Sequence, residues 1–265
     1  VKIHFYKYHG AGNDFILLDN RKGEIRLSAA DISWLCDRHL GVGADGLMLL
    51  ETSSNYDFSM RYFNSDGNES TMCGNGGRCL TAFAHYLGLV DQKASFLAID
   101  GAHEGIILAV ESNHYRVKIR MKEVSAVQCL NDRYILDTGS PHLVLFKKGL
   151  EKLDIRAEGK KIRYSPEFMK EGINVDFVEL KGEVVFVRTY ERGVEDETLS
   201  CGTGVTATAI VLSDLFPGKN DFEINTLGGV LKVSFRSEAG VFTDIWLEGP
   251  AVRVFEGEYS VNSNQ

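Results

Sequence analysis

Two cysteines in this chain are each followed at once by Gly-x-Gly: Cys73 in "TMCGNGGRC" and Cys201 in "LSCGTGV". A thiol acts as a base only when ionised, and its ordinary pKa lies near ~8.5. A helix N-terminus presents unpaired N–H groups and a partial positive charge, so a cysteine placed just before one has its thiolate stabilised. Glycines after the cysteine let a ligand approach the backbone, and the same N–H groups suit a carboxylate. The chemistry that needs two such ends is inversion at a carbon bearing a carboxylate. One thiolate removes the α-proton from one face while a thiol delivers a proton to the other. The carboxylate becomes enolate-like in the transition state, where helix N-termini stabilise the developing charge. One cysteine must be ionised and the other protonated, so their titrations have to be held apart.

The elements that carry these cysteines come in duplicate. A shift of 128 positions brings Tyr62 onto Tyr190, Glu69 onto Glu197, Cys73 onto Cys201, Gly74 onto Gly202, Gly76 onto Gly204 and Leu87 onto Leu215. A shift of 127 brings Gly12 onto Gly139 and Gly101 onto Gly228. This is one internal duplication, not a short tandem array. Each copy predicts a strand, a Gly/Glu-rich loop, Cys-Gly-x-Gly and then a helix, "GRCLTAFAHYLG" in the first and "VTATAIVLSDLF" in the second. Folding alone accounts for two similar helices, but it gives no reason for a cysteine at the same junction twice.

Strand patterns dominate the rest. "VKIHFYKY", "DFILLD", "DFSMRYF" and "HYRVKIRM" alternate or run apolar between Gly, Asn and Asp. A helix is predicted through "SAADISWLCDRHL", with Ser28 and Asp31 as a capping box and Ile32, Leu35, Cys36, His39 and Leu40 as its apolar stripe, ending at Gly41. "GVGADG" at Gly41–Gly46 fits the dinucleotide fingerprint by letter. That fingerprint needs a strand before and a helix after; here the order is reversed, so a dinucleotide site is rejected.

A net charge of −8 with scattered Lys and Arg argues against a nucleic-acid surface, and no stretch is apolar enough to span a membrane. Five cysteines at irregular spacing, without a CxxC pair, argue against a disulfide framework or a structural zinc site. The N-terminus reads as a strand rather than a signal peptide, so the thiols are expected to be reduced and the protein cytoplasmic. The "Asn68-Glu-Ser" sequon is then a coincidence. Cys36 is expected in the core and Cys79 in helix packing, while Cys129 falls in the connection between halves. The repeat offset predicts an N-terminal half over 1–117 with Cys73 and a C-terminal half over 118–248 with Cys201. The tail from about 249 to 265 is expected to pack back on the first half.

"HGAGNDF", "YFNSDGNESTMCGNGGRC", "GINVDFVE" and "YERGVEDETLSCGTG" closely resemble the diaminopimelate epimerase family, and the resemblance runs over nearly the whole chain. Proline racemases and phenazine-type isomerases share that fold but differ around these positions. The resemblance implies an α/β (α+β type) fold of two pseudosymmetric halves, each a mixed or antiparallel curled β-sheet around a central helix. It implies a small-molecule substrate, LL-2,6-diaminopimelate, converted to the meso isomer without pyridoxal phosphate, metal or other cofactor. The setting is lysine and peptidoglycan precursor supply. Cys201 would be the base and Cys73 the acid in the LL-to-meso direction, with roles exchanged in reverse. Gly74, Asn75, Gly202 and Thr203 would donate backbone N–H groups to the reacting carboxylate. Asn13, Asn64, Asn174, Glu191 and Arg192 match substrate-binding positions, and His142 with Glu191 would tune the thiol pKa values. A homodimer is expected, with "AVRVFEGEYSV" as a candidate contact.

Two positions depart from the family pattern. Ser140 in "GSPH" stands where an asparagine is common, and Gly46 stands where some members carry glutamine. Two alternatives remain: a relative with the same two-thiol chemistry on another amino acid, and a binding protein whose cysteines act as a redox switch. Retention of Arg192 and the asparagines disfavours the first, because a substrate without a distal carboxylate would leave them unpaired.

Overall fold

Alternating and continuous apolar runs of five to ten residues cannot bury themselves alone, and in this protein they pair into two sets of strands, each wrapped on a helix. The computed structural model describes residues 2–260. The chain divides into two units: the described residues up to Ile119 together with those from Gly249 onward, and Arg120–Glu248. Residues 261–265, the end of the expected tail and the last residue of its "AVRVFEGEYSV" segment, lie outside the described residues, as does Val1.

In the first unit the order is β1 (Lys2–Gly10), β2 (Asn13–Asp19), α1 (Ala29–Cys36), β3 (Gly46–Glu51), β4 (Phe58–Asn64), β5 (Glu69–Ser70), α2 (Gly74–Tyr86), β6 (Lys93–Ala98), β7 (Gly101–Glu111) and β8 (His114–Arg120). β1 and β2 form a hairpin whose turn puts Ala11 and Gly12 at positive φ. β2 then pairs in parallel with β3, β3 antiparallel with β4, and β4 in parallel with β6. β6, β7 and β8 follow as antiparallel neighbours. The last strand of the chain closes the ring, pairing with β8 through Gly249–Val252 and with β1 through Val252–Ser260.

The second unit repeats this order: β9 (Val127–Leu130), β10 (Arg133–Asp137), β11 (Pro141–Phe146), α3 (Ile155–Arg163), β12 (Asn174–Lys181), β13 (Val184–Glu191), β14 (Asp196–Thr198), α4 (Gly202–Leu215), β15 (Asp221–Thr226), β16 (Gly229–Glu238) and β17 (Val241–Ser260). The parallel pairs recur as β11–β12 and β13–β15, and the antiparallel ones as β10–β11, β12–β13, β15–β16 and β16–β17. Its ring is completed by the stretch from Met121, bonded to Ile245, through Val124, bridged to Phe242, into β9 beside β10.

Inside each ring runs one helix. Every residue of α2 from Gly74 to Ala84 is buried, and so is α4 from Gly202 to Leu212 except Thr203. A helix buried all round cannot show a polar face: the buried stretch of α4 is Gly, Ala, Thr and aliphatic residues, and that of α2 is mostly small and apolar but also encloses Asn75 and Arg78. α1 and α3 instead cover the opposite faces: Ile32, Leu35 and Cys36 pack on Ile16, Leu18, Leu47 and Leu49, and Ile155 packs on Leu143, Val175 and Phe177.

Three expectations change. The Gly-x-Gly after each cysteine forms the first helical turn, so α2 and α4 begin at Gly74 and Gly202 rather than after the glycines. α1 carries the expected capping box but stops at Cys36. Asp37 leaves the helical region, and its carboxylate accepts from the His39 and Leu40 amides, while Leu35 and Cys36 carbonyls take the amides of Val42, Gly43 and Ala44. Leu40 is therefore exposed rather than part of a stripe. Cys129 is an exposed residue on strand β9, inside the second unit rather than in the connection between the two. Cys36 and Cys79 are buried, and the "GVGADG" segment follows a helix and leads into a strand.

Gly41 sits where this return is tightest: a Cβ there would lie 2.1 Å from the Trp34 carbonyl oxygen and 2.6 Å from that of Leu35. Backbone cannot step aside as a side chain can. Gly41→Ala is expected to destabilise the protein by about 1–3 kcal/mol, read as a lower midpoint in urea with the m-value unchanged.

Candidate active site

Cys73 and Cys201 are the N-cap residues of the two central helices, both in extended backbone conformation. Their carbonyls start the helical ladders, accepting from Gly77 at 2.7 Å and from Val205 at 2.9 Å. Neither side chain caps its own helix. Each sulfur is thus placed beside a positive helix end without being consumed by it.

Around Cys73, polar groups from β2, the β3 approach and α2 interlock. The thiol lies 3.6 Å from Asn13 Oδ1, which also accepts from Asn75 Nδ2 at 3.3 Å. The orientation of the Asn13 amide is set by Asp45, whose Oδ2 accepts from Nδ2 at 2.7 Å. Asp45 and Asp14 share the Arg38 guanidinium, and Asp14 also meets the buried Lys7 ammonium at 2.7 Å. Burial pushes the Asp14 carboxyl up, but hydrogen bonds and charge from Arg38 and Lys7 outweigh it and hold it at about 2. From the helix side, the fully buried Arg78 donates to Asn75 Oδ1 at 2.6 Å and to the Gly74 carbonyl at 3.2 Å. Burial lowers its guanidinium to about 10, so it stays charged at neutral pH. Asn64 ends β4 opposite Gly46, and among the described residues no hydrogen bond joins its side chain to this cluster.

Around Cys201 the partners come from β11, β12 and β13. The sulfur lies 3.4 Å from Thr203 Oγ1, which lies 2.9 Å from His142 Nε2; His142 Nδ1 lies 2.7 Å from Asp176 Oδ2. Thr189 donates to the other Asp176 oxygen at 2.7 Å, and the side chains of His142 and Asp176 are wholly buried. Burial, then the negative charges of Glu191 and Asp176, push the Cys201 thiol well up; the Thr203 hydroxyl at the sulfur and the nearby Gly204 amide oppose them. Asn174 donates to Ser140 Oγ at 2.7 Å and accepts the Arg192 backbone N–H at 2.8 Å. The Arg192 guanidinium donates to the Glu171 carbonyl at 3.0 Å and reaches Ser140 Oγ at 3.5 Å.

The sequence-derived residues therefore fall into two groups. Asn13, Gly74 and Asn75 gather at Cys73, with Asn64 apart. His142, Asn174, Glu191, Arg192, Gly202 and Thr203 gather at Cys201. Ser140 holds Asn174 and Arg192 to each other, so the shorter residue is a link rather than a gap. Gly46 has no room for any side chain: a Cβ would lie 2.6 Å from both the Phe63 carbonyl oxygen and the Tyr62 ring. Arg78, Asp45, Asp176 and Thr189 escaped the sequence reading. A charge inside "GRCLTAFA" and another inside "NVDFVEL" were the available signals, since a buried apolar run has no use for an ionised group unless it is paired.

The fold is shared with a PhzF-family phenazine biosynthesis protein of Bacillus anthracis, with a TM-score of 0.74 at 17% identity over 98% of this chain and 100% of that one. It is also shared with a hydroxyproline epimerase of Agrobacterium vitis, with a TM-score of 0.70 at 13% identity over 99% and 94%. At such identities the likeness establishes the fold, and the two-unit α+β architecture expected from the sequence is the one observed. The profile of the family described as diaminopimelate epimerase matches residues 5–127 and 134–254. A diaminopimelate epimerase of Flavobacterium psychrophilum is 51% identical over 257 residues, covering 95% of this chain and 98% of that protein. One of Chlorobaculum tepidum is 40% identical over 264 residues, covering 94% and 98%. The chain belongs to the diaminopimelate epimerase family, and the protein is an isomerase.

The Asp14 network makes a stability prediction. The folded carboxyl titrates at about 2, below the unfolded value of ~3.9, so its stabilisation is complete above that value and is lost as pH falls through the folded pKa. Asp14→Asn is expected to cost about 2 kcal/mol at pH 7 and to flatten the acid limb of the stability curve, measured by urea unfolding at stepped pH.

Proposed function

We propose that this protein interconverts LL- and meso-2,6-diaminopimelate by a two-base mechanism in which Cys73 and Cys201 serve opposite faces of one α-carbon. The observation that carries the proposal is the paired N-cap placement of the two cysteines on buried helices. In the LL-to-meso direction Cys201, as thiolate, takes the α-proton and Cys73 returns one from its thiol; the roles exchange in reverse. First-turn amides of Gly74, Asn75, Gly202 and Thr203 receive the reacting carboxylate as it becomes enolate-like. Arg192, whose guanidinium plane is steadied by Ser140 and Glu171, receives the distal carboxylate, for which a planar fork is suited. Glu191 meets the distal ammonium, and Asn13, Asn64 and Asn174 supply amide contacts. Glu191 and His142 also tune the thiols.

Neither pyridoxal phosphate nor a metal is required, because the thiols move the protons and the amides stabilise the anion. The protein then works in the cytoplasm as a homodimer, in lysine and peptidoglycan precursor biosynthesis.

The experiment is turnover of LL-diaminopimelate in deuterated water under reducing conditions. Wild type is expected to form the meso isomer with α-deuterium incorporation. Cys73→Ala and Cys201→Ala should each lose conversion by at least about 100-fold. Conversion that survives loss of either thiol sinks the two-base mechanism. Absence of turnover by wild type sinks the substrate.

A further inference from the structure

The internal duplication allows a comparison of what lies beneath the first turn of each central helix. Gly76 in α2 and Gly204 in α4 are equivalent, and each is pressed against a pair of side chains from the two adjacent parallel strands. At Gly76 a Cβ would meet Met48 Cε at 2.1 Å and Phe15 Cζ at 3.6 Å; at Gly204 it would meet Asp176 Oδ1 at 2.3 Å and His142 Cε1 at 3.2 Å. The strand registers agree, since Phe15 lies opposite Gly46 as His142 lies opposite Asn174, and all four side chains belong to wholly buried residues. The first unit thus fills this place with Phe15 and Met48, and nothing about the packing calls for an ionisable pair. In the second unit the place holds an acid and an imidazole instead, at the cost of burying them.

The pair is connected in one direction only. Asp176 Oδ1 is taken by Thr189, and Oδ2 faces His142 Nδ1. A carboxylate there fixes the proton on Nδ1 and leaves Nε2 as an acceptor. Nε2 faces the Thr203 hydroxyl, and that hydroxyl faces the Cys201 sulfur.

We propose that Asp176, His142 and Thr203 form a proton relay that ionises Cys201. The proposal rests on the two-thiol function above and adds Asp176, with Thr189 behind it, as positioning residues of that function. The S–H bond of Cys201 breaks as an O–H bond forms on Thr203; the original Thr203 O–H bond breaks as an N–H bond forms at His142 Nε2. The electron pair stays on sulfur, and Nδ1–H stays with the imidazolium, donating to Asp176. Net charge within the cluster is unchanged, so the buried site never holds a second unpaired charge. The ionisable and charged groups facing Cys201 within this unit are His142 on β11, Asp176 on β12 and Glu191 at the end of β13. Both carboxylates oppose the thiolate, which is why an acceptor for its proton matters.

The test transplants the first unit's own solution into the second: the double variant His142→Phe/Asp176→Met. Protein labelled with 13Cβ-cysteine is titrated by NMR, with the Cys201 signal assigned from Cys201→Ala. The titration midpoint of Cys201 is expected to rise by ~1 unit or more, while that of Cys73 stays where it is. With LL-diaminopimelate, kcat should fall at least about 100-fold with KM little changed. Thr203→Val should reproduce both effects and Thr203→Ser should restore them. These single variants also carry the test if the double variant melts early. A Cys201 midpoint that falls or stays put overturns the relay, because a couple acting only as buried negative charge would lower the midpoint on removal. Serine and valine behaving alike at position 203 would overturn it too. If wild type fails to turn over diaminopimelate while the midpoint shifts as expected, the substrate assignment fails and the relay stands.

Discussion

A helix buried on every side must begin inside the protein, where its first amides have neither helical acceptors nor water. Both units of this protein accept that constraint, and most of their architecture follows from it. The rings of strands leave room for one narrow helix each, so the first turns are Gly-Asn-Gly and Gly-Thr-Gly. The entering residue is a cysteine whose carbonyl joins the ladder while its sulfur does not cap. A group of N–H donors is thereby kept in a low-dielectric setting beside a thiol, without spending the thiol to satisfy them. An anion is the natural partner for such a group.

The same scaffold appears twice with different electrostatics. At the fifth position after Cys73 stands Arg78, which donates to the Gly74 carbonyl, and at the fifth after Cys201 stands Thr206, which donates to the Gly202 carbonyl. Beneath the glycines the first unit is apolar and the second carries His142 and Asp176. The first unit thus places a buried cation near its cysteine, while the second surrounds its cysteine with carboxylates and an imidazole. Duplication explains the common backbone. The divergence fits the proposed inversion, which would ask two thiols for unequal protonation at any instant.

Where local pattern and tertiary structure part company, the cause is a side chain making an unforeseen bond. The apolar spacing through Leu40 continues a helical stripe, yet the Asp37 carboxylate captures the next amides and the chain turns away at Cys36. Glycine spacing in "GVGADG" says only that backbones approach closely; the capture of the Val42 and Gly43 amides by Leu35 shows which ones. Ser140 looks like a truncation in a motif, and becomes a link only when β11 and β12 set it beside Asn174 and Arg192. Cys129, unassigned by pattern, turns out to be an exposed strand residue.

The sequence by itself determined the duplication, the two cysteine junctions and their place at helix starts. These depend on residue type and short spacing, and spacing along the chain translates directly into position at a helix N-terminus. It also carried enough family-specific motif to name most residues around the thiols. Only the tertiary structure decided what surrounds those residues. Parallel pairing of β11 with β12 sets His142 beside the Asp176 carboxylate, and the first turn of α4 sets Thr203 between imidazole and sulfur. Such contacts join residues 34 and 61 positions apart. No local periodicity encodes them, because strand pairing, and not chain proximity, decides which buried charges become neighbours.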